Sequence, residues 1–441
     1  MPALTRIGLD EMVSRLERTL ASSPADATEI VWIDARRGQE SNGKRRRDSY
    51  EQEETTVFVR VRESGRYGFH RTDVAEPSDL ARAVREALAQ ARLSQPVPAA
   101  LRPEGAAAPV TLSGEIHDPE LARMTSARAR ELVQRLADQG ETVRLGWAEG
   151  RVAVAESKGL LRAAEATTAW AGITTPGAGM ASAASRSLDG LGLSSLLARA
   201  RGRQAPEGPE SALPDGPLPV LLSQESVAAL LDLLNRRALT SSSFHHGTSC
   251  LRDSLGMPVF HPAFSLRDDG TDPRGLPFPF DLLGSARRPV DLIAGGVFLT
   301  PALDDRLARQ LDRPPTPHSV APDEAAASHL FLVPGEAPDE QLLGNSEGGL
   351  WIAALDSLES YNPRTLPNTL RFRATARGVR RIEGGRLGAA LPDLVWEDDL
   401  RTLLSGPLTV GSEPMTVGES LFGGITAPTL AFELVSGLRL A

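Results

Sequence analysis

The chain has 441 residues, 41% of them hydrophobic and 24% charged, which is a globular balance with length for two ordinary domains or one large body. Its 57 acidic and 48 basic residues leave a net charge of −9, the wrong sign for a protein whose main partner is nucleic acid, and no apolar run nears the ~20 residues that cross a bilayer. The single cysteine, Cys250, excludes an internal disulfide framework and any zinc site built on several thiolates, so a metal would rest on His and carboxylates.

The opening Met1-Pro2-Ala3-Leu4-Thr5-Arg6 lacks an apolar core with a small-residue cleavage site, so the expected location is cytoplasmic. Leu9, Met12, Val13, Leu16 and Leu20 follow the helical period and predict an amphipathic first helix. Glu29-Ile30-Val31-Trp32-Ile33 predicts a strand, and Val57, Val59 and Val61 alternate with polar residues up to a hairpin turn at Glu63-Ser64-Gly65-Arg66. Ser78 offers an N-cap to a second helix through Leu80, Val84, Ala87, Leu88 and Ala91. Between Ser94 and Asp118 the composition is that of a surface connection. Asp118-Pro119 starts a helix that Gly140 closes. Val143, Leu145 and Trp147 then lead through Ala148-Glu149-Gly150 to Val152 and Val154, the pattern of a second hairpin.

A Pro/Gly-rich stretch from Gln204 to Pro219 marks the expected boundary. The reading is an α+β N-terminal domain over 1–203, a linker over 204–218, and a mostly antiparallel β domain over 219–441. In the latter, short apolar runs such as Gly296-Val297-Phe298-Leu299 and His329-Leu330-Phe331-Leu332-Val333 are punctuated by Gly and Pro.

His245-His246, His261, Asp268 and Asp269 form the one local cluster of candidate metal ligands. On an extended segment adjacent histidines face opposite ways, so at most one of the pair would join His261. Ordinary loop histidines are the plainer reading. The basic run Lys44-Arg45-Arg46-Arg47 could grip phosphates, but Asp48, Glu51, Glu53 and Glu54 follow it at once, and a solvated loop is expected. Asp268-Asp269-Gly270-Thr271 reads as a tight turn, since the positions an EF-type calcium loop needs are absent. Ser241-Ser242-Ser243 has no Gly-x-Ser-x-Gly elbow around it.

Several stretches resemble the TldD/PmbA family, in the family's order. Val59-Arg60-Val61 with Gly65-Arg66-Tyr67-Gly68-Phe69 resembles its hairpin, and Glu156-Ser157-Lys158-Gly159-Leu160 its "NSxG" turn. Pro219-Val220-Leu221-Leu222-Ser223 is similar to the strand before the family's metal helix, and Asp268-Asp269-Gly270-Thr271 to its "DDGT" turn. Pro334-Gly335-Glu336 and Ala427-Pro428-Thr429-Leu430 also have counterparts. The chain departs from the pattern at Glu156 and at Phe280-Asp281-Leu282-Leu283-Gly284, where relatives have a "DxEG"-like turn.

In the family's catalytic subunit the helix after that strand carries HExxxH, two zinc-binding His around a Glu that polarises water. Asp232 stands at the first His, Leu233 at the Glu and Arg237 at the second His. An aliphatic side chain takes no proton from water, and a guanidinium repels a cation. The third ligand is a Cys near the equivalent of Ala354-Leu355-Asp356-Ser357-Leu358, and no Cys occurs there. No HExxH or HExxxH occurs elsewhere. The resemblance therefore implies a TldE (PmbA)-like subunit with no metal or catalytic residue of its own, paired with a TldD-like zinc peptidase that handles unfolded or ribosomally made peptides. Arg236, Arg237, His245 and His246 are the expected peptide or partner contacts. The alternatives are a self-sufficient metallohydrolase using His245 or His246 with His261, and a regulatory homo-oligomeric scaffold. The family's older name refers to DNA gyrase, yet the acidic charge gives no ground for direct DNA binding.

Overall fold

The structure is a computed structural model that describes residues 6–43, 49–98, 103, 107–109, 112, 114–206, 212–321, 324–361 and 369–441. The run Lys44-Arg45-Arg46-Arg47 lies outside them. Among the described residues, six antiparallel strands build one N-terminal sheet. Its spatial order is Arg66–Thr72, Tyr50–Glu63, Ala27–Ser41, Thr142–Glu156, Leu161–Thr174 and Met180–Ser185. The period of two in these strands divides the sheet's faces. Ile30, Val57, Val59 and Val61 pack under helices Leu9–Ala21 and Pro77–Leu93 through Met12, Leu16, Leu80 and Val84. Val31, Val152 and Val154 face the other way, onto Phe278 and Phe280 of the C-terminal half. The sheet is thus packed on both faces.

The first helix and first hairpin match their sequence patterns. Ser64 and Gly65 have φ of 50° and 77°, the left-handed pair that a two-residue hairpin turn demands. Three local expectations change. Pro77 occupies the first turn of the second helix, so Glu76 and not Ser78 is its N-cap. The helix begun at Asp118-Pro119 stops at Ala122, and a separate helix, Ser126–Leu136, starts where Thr125 Oγ1 accepts the Arg128 amide at 3.3 Å. The supposed turn at Ala148-Glu149-Gly150 is uninterrupted strand. There Gly150 pairs with Ala35 on one side and Ala166 on the other. Glu149 is held by Arg6 and Arg151. The reversal comes at residues 157–159 instead, with Gly159 at φ 101°.

The C-terminal half is α+β with mostly antiparallel strands. Strand Leu218–Leu222 lies between Leu350–Ile352, parallel to it, and Leu430–Val435, antiparallel. The described residues of this half also form a second six-stranded sheet, a four-stranded sheet and a two-stranded one, and Phe264, Phe298, Phe372, Trp396 and Phe432 fill the shared core. Arg186, just past the last N-terminal strand, ties the halves together. Its buried guanidinium donates to the carbonyls of Leu276 (2.8 Å), Pro277 (2.8 Å) and Leu421 (2.9 Å), and to Thr167 O (3.0 Å). With no carboxylate among these partners, burial pushes its pKa down to about 9. No helix of the described residues is long and apolar enough to cross a membrane.

Candidate functional site

Strand Leu218–Leu222 runs into helix Gln224–Leu234, whose start is fixed by Ser223: its Oγ accepts the Ser226 amide at 3.0 Å and donates to Ala353 O at 2.7 Å. The helix widens into a π turn over Asn235–Leu239, where i→i+5 hydrogen bonding brings positions five apart toward one side. Asp232 lines a groove of about 630 Å³ together with Glu225, Asn235 and Leu355. Leu233 turns inward and is 1% exposed, inside the C-terminal core. The groove's carboxylates are committed locally. Asp232 pairs with Arg236 at 2.8 Å, Glu225 with Arg203 at 3.2 Å and Glu419 with Arg144 at 2.8 Å. Arg236 and Arg237 are exposed.

A second cleft, also about 630 Å³, opens beyond the π turn. Thr240 caps the short helix Ser241–His245, so the adjacent histidines sit on a helical turn and not on the extended segment expected. His245 Nε2 lies 2.7 Å from Asp304 Oδ2, while Asp304 Oδ1 accepts the Leu307 amide at 2.7 Å and starts helix Asp305–Gln310. His246 Nδ1 meets Ser242 O at 2.8 Å. Both histidines line the cleft with Ser285 and Asp281. Asp281 accepts amides from Leu283, Ser285 and Ser319, and burial raises its pKa against these bonds. His261 belongs to another loop: its amide donates to Leu404 O at 2.8 Å and its Nδ1 accepts the Ala263 amide at 3.2 Å. The trio of alternative ligands is not brought together, and no three His, Cys, Asp or Glu of the described residues are grouped to hold a metal ion.

Residues 215–437 match the family model for the PmbA/TldA metallopeptidase C-terminal domain, just over half of the chain. The chain belongs to the TldD/PmbA family. No curated protein sequence is a significant match. Among solved structures, a candidate DNA gyrase modulator from Thermotoga maritima is similar over 97% of this chain and 99% of its own, at 18% identity and a TM-score of 0.76. TldE from Thermococcus kodakarensis matches over 97% and 98%, at 19% identity and a TM-score of 0.75. A candidate DNA gyrase modulator from Bacteroides thetaiotaomicron matches over 97% and 98%, at 16% and 0.72. These likenesses establish a TldD/TldE-like fold.

The first groove brings together Asp232 of the helix and Leu355 of strand Ala354–Ser360, which come from the two segments that the resemblance aligns with metal ligands. The aligned positions do not fit zinc: the Asp232 carboxylate is already paired with Arg236, Leu233 is buried in the core, Arg237 is an exposed guanidinium, and Leu355 has no donor atom in its side chain. The family's "DDGT" turn has a different task. Asp269 Oδ1 accepts the Thr271 amide at 3.0 Å, closing the tight turn the sequence predicts. Asp268 is buried and accepts the amides of Ser328 (2.7 Å) and His329 (2.6 Å), with His318 Nε2 at 3.2 Å and Arg287 at 3.7 Å. Burial alone would raise its carboxyl, but His318, Arg287 and His329 outweigh that and hold it well below the usual carboxylate range. Sequence reading missed this cluster because its members are 19 or more positions from Asp268, whose strand Leu266–Asp268 pairs with Leu330–Leu332 on one side and Val290–Ala294 on the other.

Proposed function

We propose that this chain is a TldE-like, non-catalytic subunit that pairs with a TldD-like zinc peptidase and helps enclose unfolded or ribosomally made peptides in the cytoplasm, with 1–203 and 219–441 as its two domains. The observation that carries the reading is Leu233, sunk in the core at the position of the general base. A water-polarising carboxylate there would first have to leave the apolar interior. Arg237 adds a fixed positive charge at the place of a zinc ligand. The likeness to TldE supports the same assignment, and zinc belongs to the partner. Exposed sheet edges such as Ala354–Ser360 beside the groove offer main-chain hydrogen bonds to an extended peptide.

The experiment is co-expression with a chain bearing HExxxH. Expected are a complex with zinc in the partner, peptide cleavage by the pair, and neither stoichiometric zinc nor cleavage from this chain alone. Stoichiometric zinc in the isolated chain that is lost in His261→Ala would instead establish the self-sufficient metallohydrolase. Self-association without any such partner would establish the homo-oligomeric scaffold.

A further inference from the structure

Two polar atoms in the wall of the His245 cleft have no partner among the described residues. Ser285 is 0% exposed, lines the cleft, and its Oγ makes no hydrogen bond. His245 sets Nε2 against the Asp304 carboxylate, and in the neutral tautomer that donates there Nδ1 is a lone-pair acceptor. That Nδ1 is also buried without a partner. A buried polar group left unpaired carries an unrecovered desolvation cost, and a ligand donor reaching it would remove that cost.

The charge around these atoms selects the donor. Asp281, Asp304, Asp305 and Glu324 line the cleft against Arg60 and Arg306; Arg60 is paired with Glu29, Asp304 with His245 and Asp305 with Arg309, so with these partners counted carboxylates still outnumber guanidiniums. The balance is acidic and favours a cation. Next to the cleft a groove of about 730 Å³ shares Arg60, Asp305 and Arg306 with it and is walled by Tyr67, Phe69, Val97 and Pro98. An acidic end with unpaired acceptors thus continues into an apolar, aromatic channel. The Asp232 groove shares no lining residue with either.

We propose that the His245 cleft binds the protonated amine of an extended peptide, with N–H groups donating to His245 Nδ1 and Ser285 Oγ and the adjoining residues lying against Tyr67 and Phe69. The peptide character of the ligand rests on the function proposed above; the amine does not, because it follows from the two unpaired acceptors and the acidic lining.

The test is calorimetric titration of the full chain alone, without a partner, with three hexapeptides of Ala, Gly and Phe. One has a free amino terminus and no Lys, one is its N-acetylated form, and one is N-acetylated with a single Lys. Acetylation of the Lys-free peptide is expected to weaken binding by about tenfold or more, the loss of one charge-assisted contact. If the acetylated Lys peptide binds, the site takes a side-chain amine; if only the free terminus binds, it takes the terminus, and either result supports the proposal. His245→Gln is expected to weaken binding by about tenfold and Ser285→Ala by about threefold or more. Ser285→Ala removes only a hydroxyl without partners, so it leaves the fold intact and remains informative if His245→Gln unfolds. Binding that ignores acetylation, no binding of any peptide, or unchanged binding in Ser285→Ala would overturn the proposal. A partner complex that forms while amine-dependent binding is absent would sink this site and leave the subunit reading standing.

Discussion

His329 offers the sharpest test of the buried polar cluster. The residue is 4% exposed, its backbone amide is spent on Asp268, its Nδ1 is 3.0 Å from Ser328 Oγ, and its Nε2 has no partner. Burial, then the positive charge of Arg287, push its pKa from the ordinary 6.5 down to about 3, against the pull of Asp268. The unfolded chain takes up this proton below pH 6.5, whereas the native state refuses it until about pH 3. The stabilisation is therefore complete above pH 6.5 and is lost progressively as the pH falls toward 3. At pH 5 the loss is about 2 kcal/mol, since each unit between the two pKa values is worth about 1.4 kcal/mol. His329→Gln has no such proton. Urea unfolding of wild type and variant at pH 7 and pH 5 gives the difference in their stabilities, and that difference should shrink or reverse by about 2 kcal/mol on acidification. A gap unchanged between the two pH values would refute the reasoning.

Two further perturbations probe the core and the junction. Restoring the motif as Asp232→His, Leu233→Glu and Arg237→His should not create a zinc peptidase, because the segment Ala354-Leu355-Asp356-Ser357-Leu358 still holds no Cys to serve as the third ligand. A glutamate at the buried position 233 should also cost about 3 kcal/mol or more. Metal analysis with urea unfolding checks both, and a stable variant holding one zinc would contradict the reading. Arg186→Met leaves the carbonyls of Leu276, Pro277 and Leu421 without their shared donor and should destabilise by about 3 kcal/mol. A change below about 1 kcal/mol would mean that desolvation of the cation had cancelled its bonds.

Much of the N-terminal half was legible because its signals are local. The helical period from Leu9 to Leu20, the alternation of Val57, Val59 and Val61, and the Ser64-Gly65 turn all depend on residues within a few positions of one another. Reading failed where a local cue met a long-range competitor. Ala148-Glu149-Gly150 has turn composition, yet two neighbouring strands pair across it and two arginines pay for burying Glu149.

Residue identity alone carries the chemistry of helix Gln224–Leu234 and its π turn: Asp232, Leu233 and Arg237 are what they are in any fold, and their donor properties follow from covalent structure. Folding is what buries Leu233, puts Asp232 and Leu355 in one groove, and gives His245 Asp304 as its partner while His261 stays elsewhere. The physical reason is distance along the chain. His245 and Asp304 are 59 positions apart, Asp268 and His329 are 61 apart, and Arg186 reaches Leu421 across 235. No periodicity encodes such meetings, because they exist only once the strands have paired and both faces of the N-terminal sheet have been packed.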